Sequence, residues 1–504
     1  MGPTPSAVIL LGLGPSALGL DLSLPSLSLS TQAVVRIGYG LLLLLTLVQA
    51  LPEARRFFLS ERWGGYAASS PDVDAFQNPV VLPALLAIWF AAAACLTFGW
   101  WTVGAAAVNV VLCRYFFVHM RWKGVLRGMG APGFYTYWLG LAVCLLEYTS
   151  HYAVALRPFA LLVVQADVAF IMLSAGVYKF TAGYPRNEGM ELGMANPMWG
   201  YWWRFYVGRP PRHPWFWFLN QMAWGTEVVA ALMMLWPPTR ELGGLLLAAS
   251  FLFILTHIRL GFLCEMVALS GLYFVNDGGW VDGWLSGLVG PQPPVAAATA
   301  PLGAVGTIVG LALLAYLLLL PLAHAGLAYN FYGRRRLPGA LQSALDRYTN
   351  VFGIIIWRVF SVDLINFFVR VSTEPTAGGA RTVVAPLGRW PRFNHVGEMI
   401  CLASLFTTLK YYPSQDARFR DRVLRYARTV PHEAGDLVVF EYHSVSKQVD
   451  RFEWRHVADY RVDPVAGTVE ERILERGFSP HAAHAVSPVH EGVTPGSYAP
   501  LGHK

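Results

Sequence analysis

Lys179 closes the apolar run Phe170-Ile171-Met172-Leu173-Ser174-Ala175-Gly176-Val177-Tyr178-Lys179-Phe180, with no carboxylate in the same turn. An ammonium group in that setting must snorkel to water, find a partner on another helix, or release its proton, and in the last case it becomes a usable base near neutral pH. Ionisable groups inside membrane spans are functional candidates by default. The other polar groups at comparable depth are Glu147, Asp167, Glu227, His257 and Glu265. At helical spacing Asp167, Ile171, Ser174 and Tyr178 form one stripe, while Ala175 and Gly176 lie beside Lys179 and let a substrate or a second helix come close. Asn220, Trp224 and Glu227 form a second polar stripe, and His257 ends a further apolar run.

A Lys179 and His257 site, with Tyr178 and Glu227 near it and Asp167, Glu188 and Trp224 as substrate contacts, is the richest constellation the residues offer. Simpler readings stand beside it. Lys179 can snorkel to the interface, His257 beside Arg259 can mark a helix end, and Glu227 and Asp167 can be hydrogen-bond links between helices. Arg36 either snorkels or pairs across helices. Glu188 and Glu191 are placed to partner Lys179 or Arg186, and the run Pro197-Met198-Trp199-Gly200-Tyr201-Trp202-Trp203 reads as an interfacial segment closing over the bundle.

Composition sets the elements that must carry these groups. The 504 residues are 55% hydrophobic and 14% charged, with a mean hydropathy of +0.43, well below the usual quarter of charged residues in soluble domains. The expectation is a mainly α protein: a polytopic transmembrane bundle of eight or nine helices followed by a soluble α+β domain. Apolar segments near the roughly 30 Å hydrocarbon thickness fall at about 32 to 51, 79 to 98, 100 to 118, 133 to 149, 157 to 180, 217 to 236, 241 to 258, 261 to 275 and 301 to 329. The turn at Arg259-Leu260-Gly261 reads as re-entrant or as a tight loop.

The net charge of +7 sits in short loops beside spans, so it sets orientation and does not point to nucleic acid. Arg121, Lys123 and Arg127, then Arg204, Arg209 and Arg212, then Arg334, Arg335 and Arg336 flank the spans, whereas the loop from Asn276 to Thr299 holds Asp277 and Asp282 and no cation. The basic loops and the tail are therefore expected in the cytoplasm and the amino terminus outside. A multi-pass protein of the cell membrane, with the bilayer as its first partner, follows.

The domain expectation is an N-terminal segment at 1–31, the bundle at 32–336, an α+β domain at 337–478 and a disordered arm at 479–504. Val351 to Val371 reads as strands, Gly397 to Leu409 and Ala417 to Arg428 as amphipathic helices, and Asp436 to Leu474 as antiparallel strands with a turn at Pro464 to Gly467. Asn394 is placed as the cap of a helix in which His395 faces Glu398. The five cysteines show no ligand spacing, so neither a disulfide nor a metal is expected. His481 and His484 read as exposed tail residues. The Leu-rich first thirty residues lack cations and do not read as a signal peptide.

Ser174 to Phe180, Glu188-Gly189-Met190, Thr256-His257 before Gly261-Phe262, and the opening Arg36 to Tyr66 stretch with Pro52-Glu53-Ala54-Arg55-Arg56-Phe57-Phe58 resemble the membrane region of vitamin K-dependent γ-carboxylases and their bacterial HTTM relatives. Thr181-Ala182-Gly183 and the tryptophan-rich stretch are similar to lipase maturation factors as well. The resemblance covers roughly residues 32 to 330. It implies that Lys179 is the base that deprotonates a reduced quinone, with His257 as a polar helper, in a carboxylase-like membrane enzyme acting on a membrane-proximal exported protein or peptide. The carboxylases carry a second lysine where this chain has Tyr178, and their extramembrane domain is larger and lies outside the cytosol. The alternatives are a non-enzymatic maturation factor for exported proteins, and third a proton-coupled transporter using Asp167, Glu227 and Lys179.

Overall fold

The computed structural model describes residues 24–122, 130–290, 292, 303–352, 354, 365–375, 379–385, 398–411 and 416–475. Each of the nine apolar segments lies on a helix: α1 (Leu29–Ala50), α2 (Val81–Phe98), α3 (Thr102–Cys113, extended by a π-turn to Val118), α4 (Gly130–Tyr152) and α5 (Arg157–Thr181) come first. After a short α6 (Met190–Ala195) follow α7 (Pro214–Leu235), α8 (Arg240–Leu255), α9 (Leu263–Gly271) and α10 (Ala304–Tyr332). Five stretches, Leu29–Phe58, Val81–Phe98, Val154–Thr181, Pro237–Leu255 and Ala304–Tyr332, are long and apolar enough to cross a membrane. At 1.5 Å per residue, the 25 residues of α5 span about 37 Å.

Exposure follows the demands of a bilayer. On α10, Ile308, Leu311, Leu318 and Leu322 are each more than half exposed, an outward apolar face that water would not favour. Exposed tryptophans gather at helix ends: Trp100, Trp101, Trp236, Trp280 and Trp284 at one end of the bundle, Trp63, Trp202, Trp215 and Trp217 at the other. This is the distribution that headgroup-level rings produce.

Polar contacts identify the two ends. At the first, Thr31 of α1 donates to Asp282 at 2.7 Å, Arg157 opening α5 reaches the Leu27 carbonyl at 2.7 Å, and Asn276 meets Glu241 opening α8 at 2.5 Å. A little deeper, Arg36 donates to the Leu96 carbonyl and lies 3.7 Å from Glu147, so it pairs across helices instead of snorkelling. At the second end, Arg259 after α8 donates to the Pro197 carbonyl at 2.9 Å and its backbone N–H to Trp199 at 2.8 Å. That stitches the α8–α9 turn to the segment after α5. Gly261 takes φ +62° there, a left-handed value that glycine adopts without a Cβ clash.

The C-terminal part caps the second end. Helix α11 (Gly339–Phe352) folds back on α10, and α12 (Glu398–Tyr411) and α13 (Asp416–Ala427) pack with an antiparallel sheet of β1 (Phe367–Glu374), β2 (Thr382–Ala385), β3 (Leu437–Lys447), β4 (Phe452–Asp463) and β5 (Thr468–Ile473), in the order β2-β1-β3-β4-β5. One core runs from the bundle into this sheet. Val351 and Phe352 end a helix, and among the described residues the first strand of this region begins at Phe367. The β4–β5 turn is the expected one, with Asp463 accepting from the N–H groups of Val465 and Ala466 at 2.9 and 2.8 Å. The proposed Asn394 cap with His395, the histidines 481 and 484, and the arm from 479 lie outside the described residues.

Docking of the cap uses charge as well as packing. Arg56 donates to the Thr429 hydroxyl at 2.8 Å and lies 4.6 Å from the Tyr426 ring centre. Arg425 donates to the Tyr66 carbonyl at 2.8 Å, and Asn196 donates to the carbonyls of Ile365 and Phe367 at 2.7 and 2.8 Å.

Candidate functional site

A glycine-sized gap decides where Lys179 points. A Cβ on Gly176 would lie 3.0 Å from the Val228 backbone nitrogen and 3.1 Å from the Trp224 carbonyl, so α5 and α7 approach to backbone contact at this level, as small residues permit within membranes. One turn further, the Lys179 ammonium is hydrogen-bonded to Glu227 and lies 3.4 Å from the Ala223 carbonyl. Lys179 is 3% exposed and Glu227 2%. Lys179 therefore pairs inside the bundle and does not snorkel.

The second carboxylate oxygen of Glu227, Oε2, has no hydrogen-bond partner among the described residues. A buried acceptor left open in a native site calls for a water, an ion or a ligand. Cys264 on α9, also buried, lies within the field of Lys179, Glu227 and Glu265. Tyr184, fully buried, lies within the field of Tyr178, Glu227 and Glu191. Burial, then those neighbours, push its phenol well above its ordinary value, so it is a neutral donor at physiological pH.

The remaining candidates are distributed differently. Trp224 borders the pair through its backbone, but its indole donates to Gln221 at 2.9 Å and meets Phe180 edge to face at 5.1 Å. Tyr178 turns to α10, with its ring 5.9 Å from Phe331. Asp167 sits twelve residues before Lys179 on α5, about 18 Å along the axis. It accepts from Trp138 at 2.6 Å and Tyr316 at 2.5 Å, which links α4, α5 and α10 and matches the interhelical-glue reading. Its Oδ1 is buried without a hydrogen-bond partner among the described residues.

His257 does not join Lys179. It follows the end of α8, where its Nδ1 faces the Thr256 hydroxyl at 2.8 Å and the Phe253 carbonyl at 3.1 Å, and its ring packs on Phe253 and Tyr206. The reason is local: α8 stops at Leu255 and the chain turns away, so the imidazole marks a helix end. Glu188 is exposed, with its carboxylate against Gly183, because Gly183 at φ +103° and Asn187 at φ +64° turn the chain sharply there.

Glu191 takes the inward place instead. It is 0% exposed and accepts from the Gly189 N–H at 3.0 Å, Asn220 at 2.8 Å and Lys447 of β3 at 2.9 Å. Sequence reasoning raised Glu191 as a partner of Lys179 or Arg186; its cation is Lys447, which carried no local signal.

The class these features define is a mainly helical protein with, among the described residues, five helices long and apolar enough to cross a membrane, a buried lysine–glutamate pair near one end and an antiparallel sheet docked over that end. No family model, no curated protein and no solved structure matches this chain.

Proposed function

We propose that this chain is a multi-pass protein of the cell membrane, of the HTTM and vitamin K-dependent γ-carboxylase-like kind, in which Lys179 acts as the base in quinone-linked chemistry on a membrane-proximal substrate. The observation that carries this reading is the dry Lys179–Glu227 pair with one open carboxylate oxygen. Nine spans are favoured by the alternating end contacts and by the two tryptophan belts, and the basic second end and the capping domain belong in the cytoplasm by loop charge.

The residues present fit a reduced quinone. Glu227 Oε2 is an unfilled acceptor for a hydroxyl, and Lys179 is the base beside it. When bound, such a molecule supplies an acidic hydroxyl and the electrons for reaction with oxygen. Lys179 takes a proton from a hydroxyl placed against it as one of its own protons passes along the hydrogen bond to Glu227. Glu227 thus positions Lys179 and keeps the site neutral overall. A general base of this kind contributes roughly a hundred- to ten-thousandfold in rate.

The test compares binding of reduced and oxidised naphthoquinone to the full chain in lipid nanodiscs, read by quenching of tryptophan fluorescence. A site built to accept a hydroxyl proton rejects the analogue that lacks it. The reduced form is expected to bind at least tenfold more tightly, and Glu227→Gln to reduce that preference. Equal binding of the two forms, or a preference untouched by Glu227→Gln, removes the proposal.

A further inference from the structure

We infer that the C-terminal domain closes the Lys179 site: Lys447, carried at the end of β3, supplies the counter-charge for the fully buried Glu191 and thereby pins the segment Tyr184–Ala195 against the Lys179–Glu227 pair. The structural claim is independent of activity; its functional meaning rests on Lys179 being the reacting group.

Lys447 makes two bonds to one segment, to the Asn187 carbonyl at 2.6 Å and to Glu191 Oε1 at 2.9 Å. Among the described residues it is the one cation paired with Glu191. All other donors to that carboxylate are neutral: the Gly189 N–H and Asn220. The bundle therefore contains a carboxylate that it cannot neutralise by itself, and an uncompensated buried charge is among the costliest defects a fold can carry.

The same segment packs on α7 just before the pair: Gln221 donates to the Pro185 carbonyl at 3.2 Å, and Ala223, whose carbonyl lies 3.4 Å from the Lys179 ammonium, follows two residues on. Gly189 lies so close to the Tyr184 ring that a Cβ there would approach it to 2.5 Å, and Tyr184 is fully buried. Asn220, which accepts the Met190 N–H at 3.0 Å and donates to Asn187 at 2.6 Å, is two turns from Glu227 on α7. Lys447 and Glu191 thus tie the sheet to Asn220 on α7, the helix that carries Glu227. Asn187, held at φ +64°, is a conformation that its surroundings must maintain, and Lys447 and Asn220 are among those surroundings. Lys447 and Glu191 are positioning residues for the site.

The chain has only five lysines, at 123, 179, 410, 447 and 504, so the access of water-borne reagents to Lys179 can be read directly. The full-length protein in nanodiscs is treated with a water-soluble acetylating reagent, and acetylation of Lys179 is followed by peptide mass spectrometry. Wild type is expected to be protected. Lys447→Met should raise the Lys179 rate at least tenfold, Lys447→Arg should keep protection, and Lys447→Met with Glu191→Gln should regain it, because the stranded charge is gone. If Lys447→Met does not accumulate but the double variant does, the rescue is read in yield and supports the same conclusion. A Lys447→Met protein as protected as wild type, a double variant as reactive as the single, or failure of both to accumulate overturns the inference. Since no turnover is measured, these outcomes are distinct from failure of the base proposal.

Discussion

At the scale of single residues, the account depends on charge held away from water. Lys179 and Glu227 neutralise each other with both side chains almost fully buried, and the penalty falls on whichever is left alone. Lys179→Met alone should destabilise the protein by about 3–5 kcal/mol, whereas Lys179→Met with Glu227→Leu should restore most of that loss; thermal unfolding in detergent measures both. Equal destabilisation of single and double variants would show that the pair is not the source. Lys179 and Glu227 were both legible as charged residues within apolar runs. Their pairing was left open among several partners, because periodicity gives the face of a helix but not its neighbour. His257 was misplaced for the same reason, since composition did not show that α8 ends two residues before it. Lys447 and Glu191, 256 positions apart, carry no shared pattern at all, and only the docked sheet brings them together.

At the scale of elements, the α5–α7 contact and the sheet each give a prediction. Gly176→Val places a branched side chain against the Val228 nitrogen and the Trp224 carbonyl, backbone atoms that cannot step aside, so the helices must separate. A loss of about 1–3 kcal/mol is expected, with faster acetylation of Lys179; an unchanged unfolding midpoint would contradict the close approach. On the sheet, Glu441 faces His443 at 3.6 Å, Arg370 at 3.5 Å and Arg381 at 3.3 Å. The contact with His443 first, and then the charges of Arg370 and His456 and the hydrogen bond from Arg381, overcome burial and hold its carboxyl down to about 2. A folded-state value below the unfolded one of 4.5 means stability that is fully present above about pH 5 and is lost as pH falls towards 2, roughly 2–3 kcal/mol in all. Unfolding of wild type and Glu441→Gln across that range checks it: the variant's curve should be the flatter, and two parallel curves would refute the assignment. Helices were the most legible elements, because hydropathy is local. Strand β1 was only partly legible, since the β-branched residues from Val351 begin within a helix that docks on α10.

At the scale of the whole molecule, the bundle has one end tied by contacts of Asp282, Glu241 and Arg157 and a second end covered by the sheet, and a single core unites cap and bundle. An odd number of crossings places the termini on opposite faces, so a carboxy-terminal fluorescent reporter that matures only in the cytoplasm should be bright and an amino-terminal one dark. Termini on the same face would reduce the count to an even number. Composition made the long apolar helices readily legible, whereas the integration of the cap with the bundle was not, because it is built from scattered arginine, asparagine and lysine contacts. The most direct test of the central claim, that Lys179 and Glu227 form a dry acid–base pair holding a redox-active lipid-soluble ring, is native mass spectrometry of the full-length protein purified from membranes. Wild type should retain a molecule of quinone mass, and the folded Lys179→Met, Glu227→Leu double variant should lose it. Retention of the same molecule by both proteins, or of a stoichiometric polypeptide in its place, would contradict the account.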